Sequence, residues 1–294
     1  MTTAPDAAGL SVPPATVTGT GGLPCIALAA ADGAAAGIHL HGAHVTSWRP
    51  AGEAADRLFT SARSHFSAGM PIRGGIPVCF PQFATEGPLP QHGFARVLQW
   101  TPIAAGPIAG GRARAVLRLA DSDATRALWP HAFRLELTVT VGGATLEALL
   151  AITNTGAAPF AFTAALHTYL RVIDIREATV HGLQGAHYRD KARGFDDGIE
   201  TAPALAFGGE VDRVYRCAPD DLEVREAARS MAVRATGFPD SVVWNPGATR
   251  SAAIGDMEPG GFLRMLCVEA AVVRAPVVLA PGAAWTGTQT LTAR

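Results

Sequence analysis

Cysteine is scarce: Cys25, Cys79, Cys217 and Cys267 lie far apart, with no CxxC spacing anywhere in the 294 residues. Thiols so dispersed fit a reducing compartment better than a disulfide framework, and Cys79 and Cys267, set in apolar runs, read as core. Long hydrophobic runs are missing too, so no stretch suggests a bilayer span. The opening MTTAPDAAGLSVPP has neither the basic start nor the apolar run of a secretory signal. No lysine-arginine run occurs and the formal net charge is -1, which leaves no basic surface for nucleic acid or an anionic membrane. The expectations are a cytoplasmic monomer whose partner is a small molecule, with no nucleic-acid and no membrane partner. A nucleotide-type glycine loop is also absent, as are an internal repeat and a dividing linker.

What is present is core material, 48% hydrophobic against 17% charged residues, which excludes disorder as the default. Residues 1–15, rich in Ala, Pro and Thr, read as a loose lead-in, and residues 16–294 as a single domain. From Pro24 the pattern is one of short strands: CIALAA, then AGIHLHGAHVTSWRP, a hairpin punctuated by Gly37 and Gly42. Later, ARAVLRLADS, RLELTVTVGG and ATLEALLAITNTG alternate apolar and polar residues, with Leu135, Leu137, Val139 and Val141 at a period of two. One short helical turn is expected in DSDATRALWP, before Pro130. Strands that follow one another without long helices predict antiparallel sheets, an all-β sandwich or barrel. His39, His41 and His44 invite a metal reading, but no acid or cysteine is spaced to complete a local ligand set; a structural or solvent-facing role is expected, and no metal.

The chemistry concentrates in Met70–Trp100, MPIRGGIPVCFPQFATEGPLPQHGFARVLQW. Its prolines and paired glycines impose an irregular path of the kind that lines sites. Arg73 precedes Gly74-Gly75, where absent side chains would let a ligand approach the main chain, and Arg96 follows Gln91-His92-Gly93-Phe94-Ala95. Two guanidinium forks near one surface suit a phosphate or carboxylate; the alternative is pairing with local acids. In FAFTAALHTYLRVIDIR, His167 is either a hydrogen-bonded core residue of a strand or a proton donor. Asp212, in GGEVDRVY, either faces a ligand or pairs with Arg213 or Arg216. FLRMLCVEAAVV carries one acid, Glu269, whose burial is costly unless it is paired or functional, and desolvation would raise its pKa towards that of a useful base.

Taken together, PIRGGIPVCFPQF, PLPQHGFARVLQW, ALHTYLRV, GGEVDRVY, VVWNP and CVEAA resemble, in order, the signature of the aldose 1-epimerase superfamily. The narrower similarity is to its glucose-6-phosphate 1-epimerase branch, and GAHVTSW resembles that family's non-catalytic opening hairpin. The resemblance implies a large antiparallel β-sandwich of the galactose mutarotase-like (supersandwich) type. It also implies cofactor-independent interconversion of the α and β anomers of a hexose 6-phosphate. His167 would be the acid and Glu269 the base, with Arg73, Gln91, His92, Arg96 and Asp212 binding the substrate. Alternatives are a free-aldose 1-epimerase and a non-catalytic sugar-phosphate binding or regulatory protein. The sequence departs from relatives after VVWNP, where Gly247 and Arg250 stand in place of the usual Trp and a nearby Lys.

Overall fold

The computed structural model describes residue 10, residues 14–217 and residues 221–294. Most of the expected lead-in, residues 1–9 and 11–13, lies outside them. The described chain begins with β1 (Val17–Thr18), β2 (Pro24–Ala29), β3 (Ala35–His39), β4 (His44–Arg49) and β5 (Val78–Cys79). There follow β6 (Thr101–Pro107), β7 (Ala113–Ala120), helix α1 (Asp123–Leu128), β8 (Phe133–Gly142), β9 (Thr145–Asn154), β10 (Phe160–Leu166) and β11 (Tyr169–Arg171). Shorter strands come next: β12 (Thr179–His181), β13 (His187–Asp190), β14 (Asp196–Ile199), β15 (Ala204–Ala206), β16 (Val211–Tyr215), β17 (Leu222–Arg225) and β18 (Ser230–Thr236). The chain closes with β19 (Asp240–Asn245), helix α2 (Gly247–Ala252), β20 (Met265–Leu279) and β21 (Ala284–Ala293).

These strands form three sheets, and every pairing between named strands is antiparallel, as the alternating patterns predict. The opening hairpin is extended into β1-β2-β3-β4. A nine-stranded sheet runs β15-β12-β17-β18-β21-β9-β8-β7-β6, and an eight-stranded sheet runs β14-β13-β16-β19-β20-β10-β5, with β11 also on β20. Leu135, Leu137, Val139 and Val141 of β8 are fully buried, so their period of two marks the inward face of the nine-stranded sheet. The helical turn expected before Pro130 is α1, capped by Ser122, whose hydroxyl accepts from the Thr125 amide while the Thr125 hydroxyl bonds back to the Ser122 amide. Among the described residues, no helix is long and apolar enough to cross a membrane.

Strand β20 explains why its sequence is apolar almost throughout. Its even-numbered residues Leu266, Val268, Ala270 and Val272 join the core shared with Leu137, Leu150 and Leu291 of the facing sheet. Its odd-numbered residues turn the other way. Cys267 packs with Tyr169 and Trp244, and Ala271 with Phe83 and Val242. A strand covered on both faces cannot alternate apolar with polar residues, so an acid on it is conspicuous.

A polar strut crosses the core. Gln289 on β21 accepts from the Thr168 hydroxyl at 2.5 Å and donates to the Val268 carbonyl at 3.0 Å. It is 1% exposed, so no water replaces these bonds readily. Replacing Gln289 with Leu is expected to cost about 1–3 kcal/mol, because a buried hydroxyl and a carbonyl lose their partners. Urea denaturation followed by circular dichroism checks this, and an unchanged midpoint would show that the strut contributes nothing.

Candidate active site

The geometry starts from a register. Leu166 pairs with Ala270 and Tyr169 with Cys267, so β10 and β11 are halves of one interrupted strand in a common register against β20. That register sets His167 across from Glu269. Directly opposed residues have their Cβ atoms about 5 Å apart, and here His167 Nδ1 lies 3.4 Å from Glu269 Oε1. His167 therefore sits at a break between strands and not within one, as the sequence had suggested. The break arises because its amide donates to Pro77 O at 3.0 Å and that of Tyr169 to Gly75 O at 2.9 Å, tying the segment to the irregular stretch.

The neighbouring strands complete one wall. Cys267 pairs with Trp244 and Trp244 with Asp212, while Glu269 pairs with Val242. Residues two apart share a face, so His167, Asp212, Val242, Trp244 and Glu269 all line one cavity of about 670 Å³. Asp212 is not consumed by Arg213, which points away to Asp190 at 3.0 Å and Glu200 at 2.9 Å. Arg216 reaches Asp197 instead.

The irregular stretch supplies the facing wall with Arg73, Gln91 and His92. Arg73 is fixed by Asp256, Nε to Oδ1 at 3.1 Å, and by the Tyr169 hydroxyl at 3.0 Å from Nη1. Tyr169 stacks on His167 with ring centroids 4.9 Å apart, so the arginine and the histidine are positioned by the same phenol. His92 has φ 65°, a conformation uncommon outside glycine. The Ala84 amide donates to its Nδ1 at 3.3 Å and the Cys79 thiol lies at the same distance, which leaves Nε2 to carry the proton of the neutral ring. Gly93 follows because a Cβ there would sit 2.1 Å from the Phe80 carbonyl. The tight approach at Gly74-Gly75 has a similar cause. A Cβ at either would strike the carbonyl of Phe59 or Val45, so these glycines admit neighbouring backbone and not, as expected from sequence, a ligand.

Arg96 is the one candidate that does not line the cavity. It stands behind the wall, where Nη2 donates to the Gln91 carbonyl at 2.8 Å and buried Nε has no partner among the described residues. The two arginines thus do not present two forks to one surface. The three opening-hairpin histidines are structural: His39 meets the Thr46 hydroxyl, His41 the Met70 carbonyl and His44 the Gly74 carbonyl. Burial lowers the His44 pKa to about 3, which keeps it neutral as a donor. Cavity residues that the sequence did not single out include Lys191, Ala192, Phe195 and Glu210. Lys191 carried a compositional signal, being the only lysine in the chain. Gly247 has φ 61°, and a Cβ there would lie 2.7 Å from the Glu210 amide; Arg250 lines the cavity and pairs with Glu210 at 3.4 Å.

Electrostatics divides the site. Burial pushes the Glu269 carboxyl well above its usual range, with Asp212 adding to the rise. Burial also pushes His167 well below its usual value, helped by the charges of Arg96 and Arg73. Asp212 is raised by burial to about 6, with Lys191 and Arg250 opposing. Among the described residues, His167 Nδ1 and Glu269 Oε2, both buried, find no hydrogen-bond partner, an arrangement expected where a ligand completes the network. One donor atom each from His167, Cys267 and Glu269 falls within 4.8 Å of the others. Burial keeps that thiol protonated and the carboxyl reluctant to ionise, which makes the set a poor cation site and a good proton-exchange site.

The fold is a galactose mutarotase-like sandwich, and a buried histidine and glutamate face each other on the wall of its cavity. The same architecture is found in a galactose mutarotase related enzyme from Lactobacillus acidophilus, at 15% identity and a TM-score of 0.72 over 92% of this chain and 97% of that one. A Salmonella typhimurium structure provisionally named a mutarotase is 33% identical, with a TM-score of 0.84 over 92% of this chain and 90% of that one. A protein of Cenchrus ciliaris, provisionally named a glucose-6-phosphate 1-epimerase, is 38% identical over 284 residues, 92% of this chain and 85% of the relative. The family model for aldose 1-epimerase matches residues 24–292. The chain belongs to the aldose 1-epimerase family and is a sugar epimerase.

The raised Glu269 pKa has a consequence for stability. A carboxyl that binds its proton more tightly when folded favours the folded state most at low pH, and this advantage is lost as pH rises past the unfolded value. Glu269→Gln removes an ionisable group that is costly to bury. It is expected to raise Tm at pH 7 and to give little gain near pH 4; calorimetry at both values checks this, and a gain confined to pH 4 would contradict it.

Proposed function

We propose that the protein interconverts the α and β anomers of a hexose 6-phosphate, glucose 6-phosphate foremost. The observation that carries the reading is the opposition of His167 and Glu269 at 3.4 Å on the wall of a cavity large enough for such a sugar. The provisional name of the Cenchrus ciliaris relative supports the phosphorylated substrate. Glu269 takes the proton of the C1 hydroxyl while His167 protonates the ring oxygen. The C1–O5 bond then breaks, its electron pair stays on O5, and C1 becomes an aldehyde. Rotation about C1–C2 presents the other face, and the two groups exchange roles to close the ring.

Burial favours neutral His167 and protonated Glu269. This holds the same number of protons as imidazolium with carboxylate, so a single proton transfer between them reaches the working form. A dianionic substrate favours the imidazolium and assists that transfer. Arg73, Gln91, His92 and Asp212 hold the sugar, with His92 donating from Nε2, and Arg96 acts through the Gln91 carbonyl. Residues 16–294 work as one domain: both large sheets draw strands from early and late in the chain, β6 with β21 and β5 with β20.

A free-aldose 1-epimerase is the second reading, favoured by one observation: Arg73 is already committed to Asp256 and Tyr169. NMR exchange between the anomers of glucose 6-phosphate and of glucose, with spontaneous mutarotation subtracted, separates the two. The proposal expects faster exchange of the ester, with kcat falling about a hundredfold to ten-thousandfold in Glu269→Gln and in His167→Asn. Equal acceleration of glucose would favour the second reading, and no acceleration of either sugar would overturn both.

A further inference from the structure

The cavity carries a cation that neither the acid-base chemistry nor the sugar contacts use. Lys191 is the chain's single lysine among 24 lysine and arginine residues. It opens a 3-10 turn, Lys191–Arg193, at the end of β13, and that turn is fixed from below. The Asp190 carboxylate accepts from the Ala192 amide at 3.1 Å and from Arg213 Nε at 3.0 Å, and the Asp190 carbonyl accepts from the Phe195 amide. The Lys191 side chain is 14% exposed, with its ammonium 5.1 Å from the centre of the Phe83 ring, which also lines the cavity. Among the described residues its one carboxylate partner is Glu86, 3.2 Å away and 43% exposed.

The other cations are less suited to an incoming dianion. Arg73 has two built partners beside His167, Arg96 stands behind the wall, and Arg250 is 57% exposed against Glu210. Lys191 is shielded enough for its charge to be felt, and its partner sits on a solvated rim where a stronger anion displaces it. Its field already reaches the site, since it is the largest of the influences holding down the pKa of Asp212 and also restrains that of Glu269.

We infer that Lys191 is the residue that selects the phosphorylated sugar, its ammonium leaving Glu86 to bind the 6-phosphate across the cavity from His167 and Glu269. The inference rests on the hexose 6-phosphate reading above and names the group that makes that reading selective. Lysine suits the task as a compact point charge on a flexible stem, able to follow the phosphate while the ring reopens.

The test compares wild type, Lys191→Met, Lys191→Arg and Glu86→Gln on glucose 6-phosphate and on glucose. Lys191→Met is expected to raise KM for the ester by about tenfold or more, as for loss of one charge-assisted hydrogen bond, with a smaller change in kcat. Any loss in kcat/KM should be far smaller for glucose than for the ester, Lys191→Arg should restore most of the affinity, and Glu86→Gln should lower KM for the ester. Acetylation at Lys191 by an amine-reactive ester, read by mass spectrometry on the wild type, should be slowed by glucose 6-phosphate and not by glucose. If the wild type prefers the ester and Lys191→Met keeps that preference, the inference falls and the substrate reading stands. Equal loss on both sugars would assign Lys191 a structural role and also overturn the inference. A wild type that does not distinguish the two sugars overturns the substrate reading, and this inference with it.

Discussion

Everything in the site depends on one constraint: a single carboxyl held on a strand that is covered on both faces. Glu269 is 1% exposed, with Val268 and Ala270 on either side locked into the core between the sheets. Its position is fixed by three strands at once, because β20 pairs with β19 on one side and with β10 and β11 on the other. A group placed so rigidly and desolvated so fully binds its proton tightly. The cross-strand register puts His167, also buried, directly opposite, and the same burial drives the two pKa values in opposite directions.

The surroundings support that pair more than they add to it. Tyr169 stacks on the imidazole and accepts from Arg73, and Asp256 holds Arg73 from the other side, so one of the two arginines that help burial depress the His167 pKa is held in place. His92 meets His167 edge to face at 5.1 Å, held there by an unusual backbone conformation that Gly93 makes possible. The Gln289 strut ties the break in the strand, at Thr168, to the opposite sheet. Fixed donors of this kind need no reorganisation when charge develops on a sugar.

The sheets were legible because alternation is a local signal: β8 and β9 have a period of two with turns between them. The cavity residues were legible as types in motifs, Arg73 with paired glycines and Glu269 as the one acid in an apolar run. What could not be read were partners distant in sequence. Asp256 lies 183 residues from Arg73, and Gln289 lies 121 from Thr168. Only the register reveals that the residue before Thr168 faces Glu269. Gly74 and Gly75 misled for a related reason: the atoms that need the space belong to backbone from earlier in the chain, at Phe59, Thr60 and Val45. Arg96 likewise carried a binding-site signal in its motif, although its guanidinium turns to the Gln91 carbonyl.

The proposed acid-base exchange has a simple spatial requirement, that C1 and the ring oxygen of the sugar lie between His167 and Glu269. A crystal structure of the Glu269→Gln variant soaked with glucose 6-phosphate tests it most directly. The account predicts the C1 hydroxyl within hydrogen-bond distance of the amide at position 269 and the ring oxygen within the same distance of the His167 imidazole. A sugar bound with C1 turned away from both, or bound outside this cavity, would contradict the account.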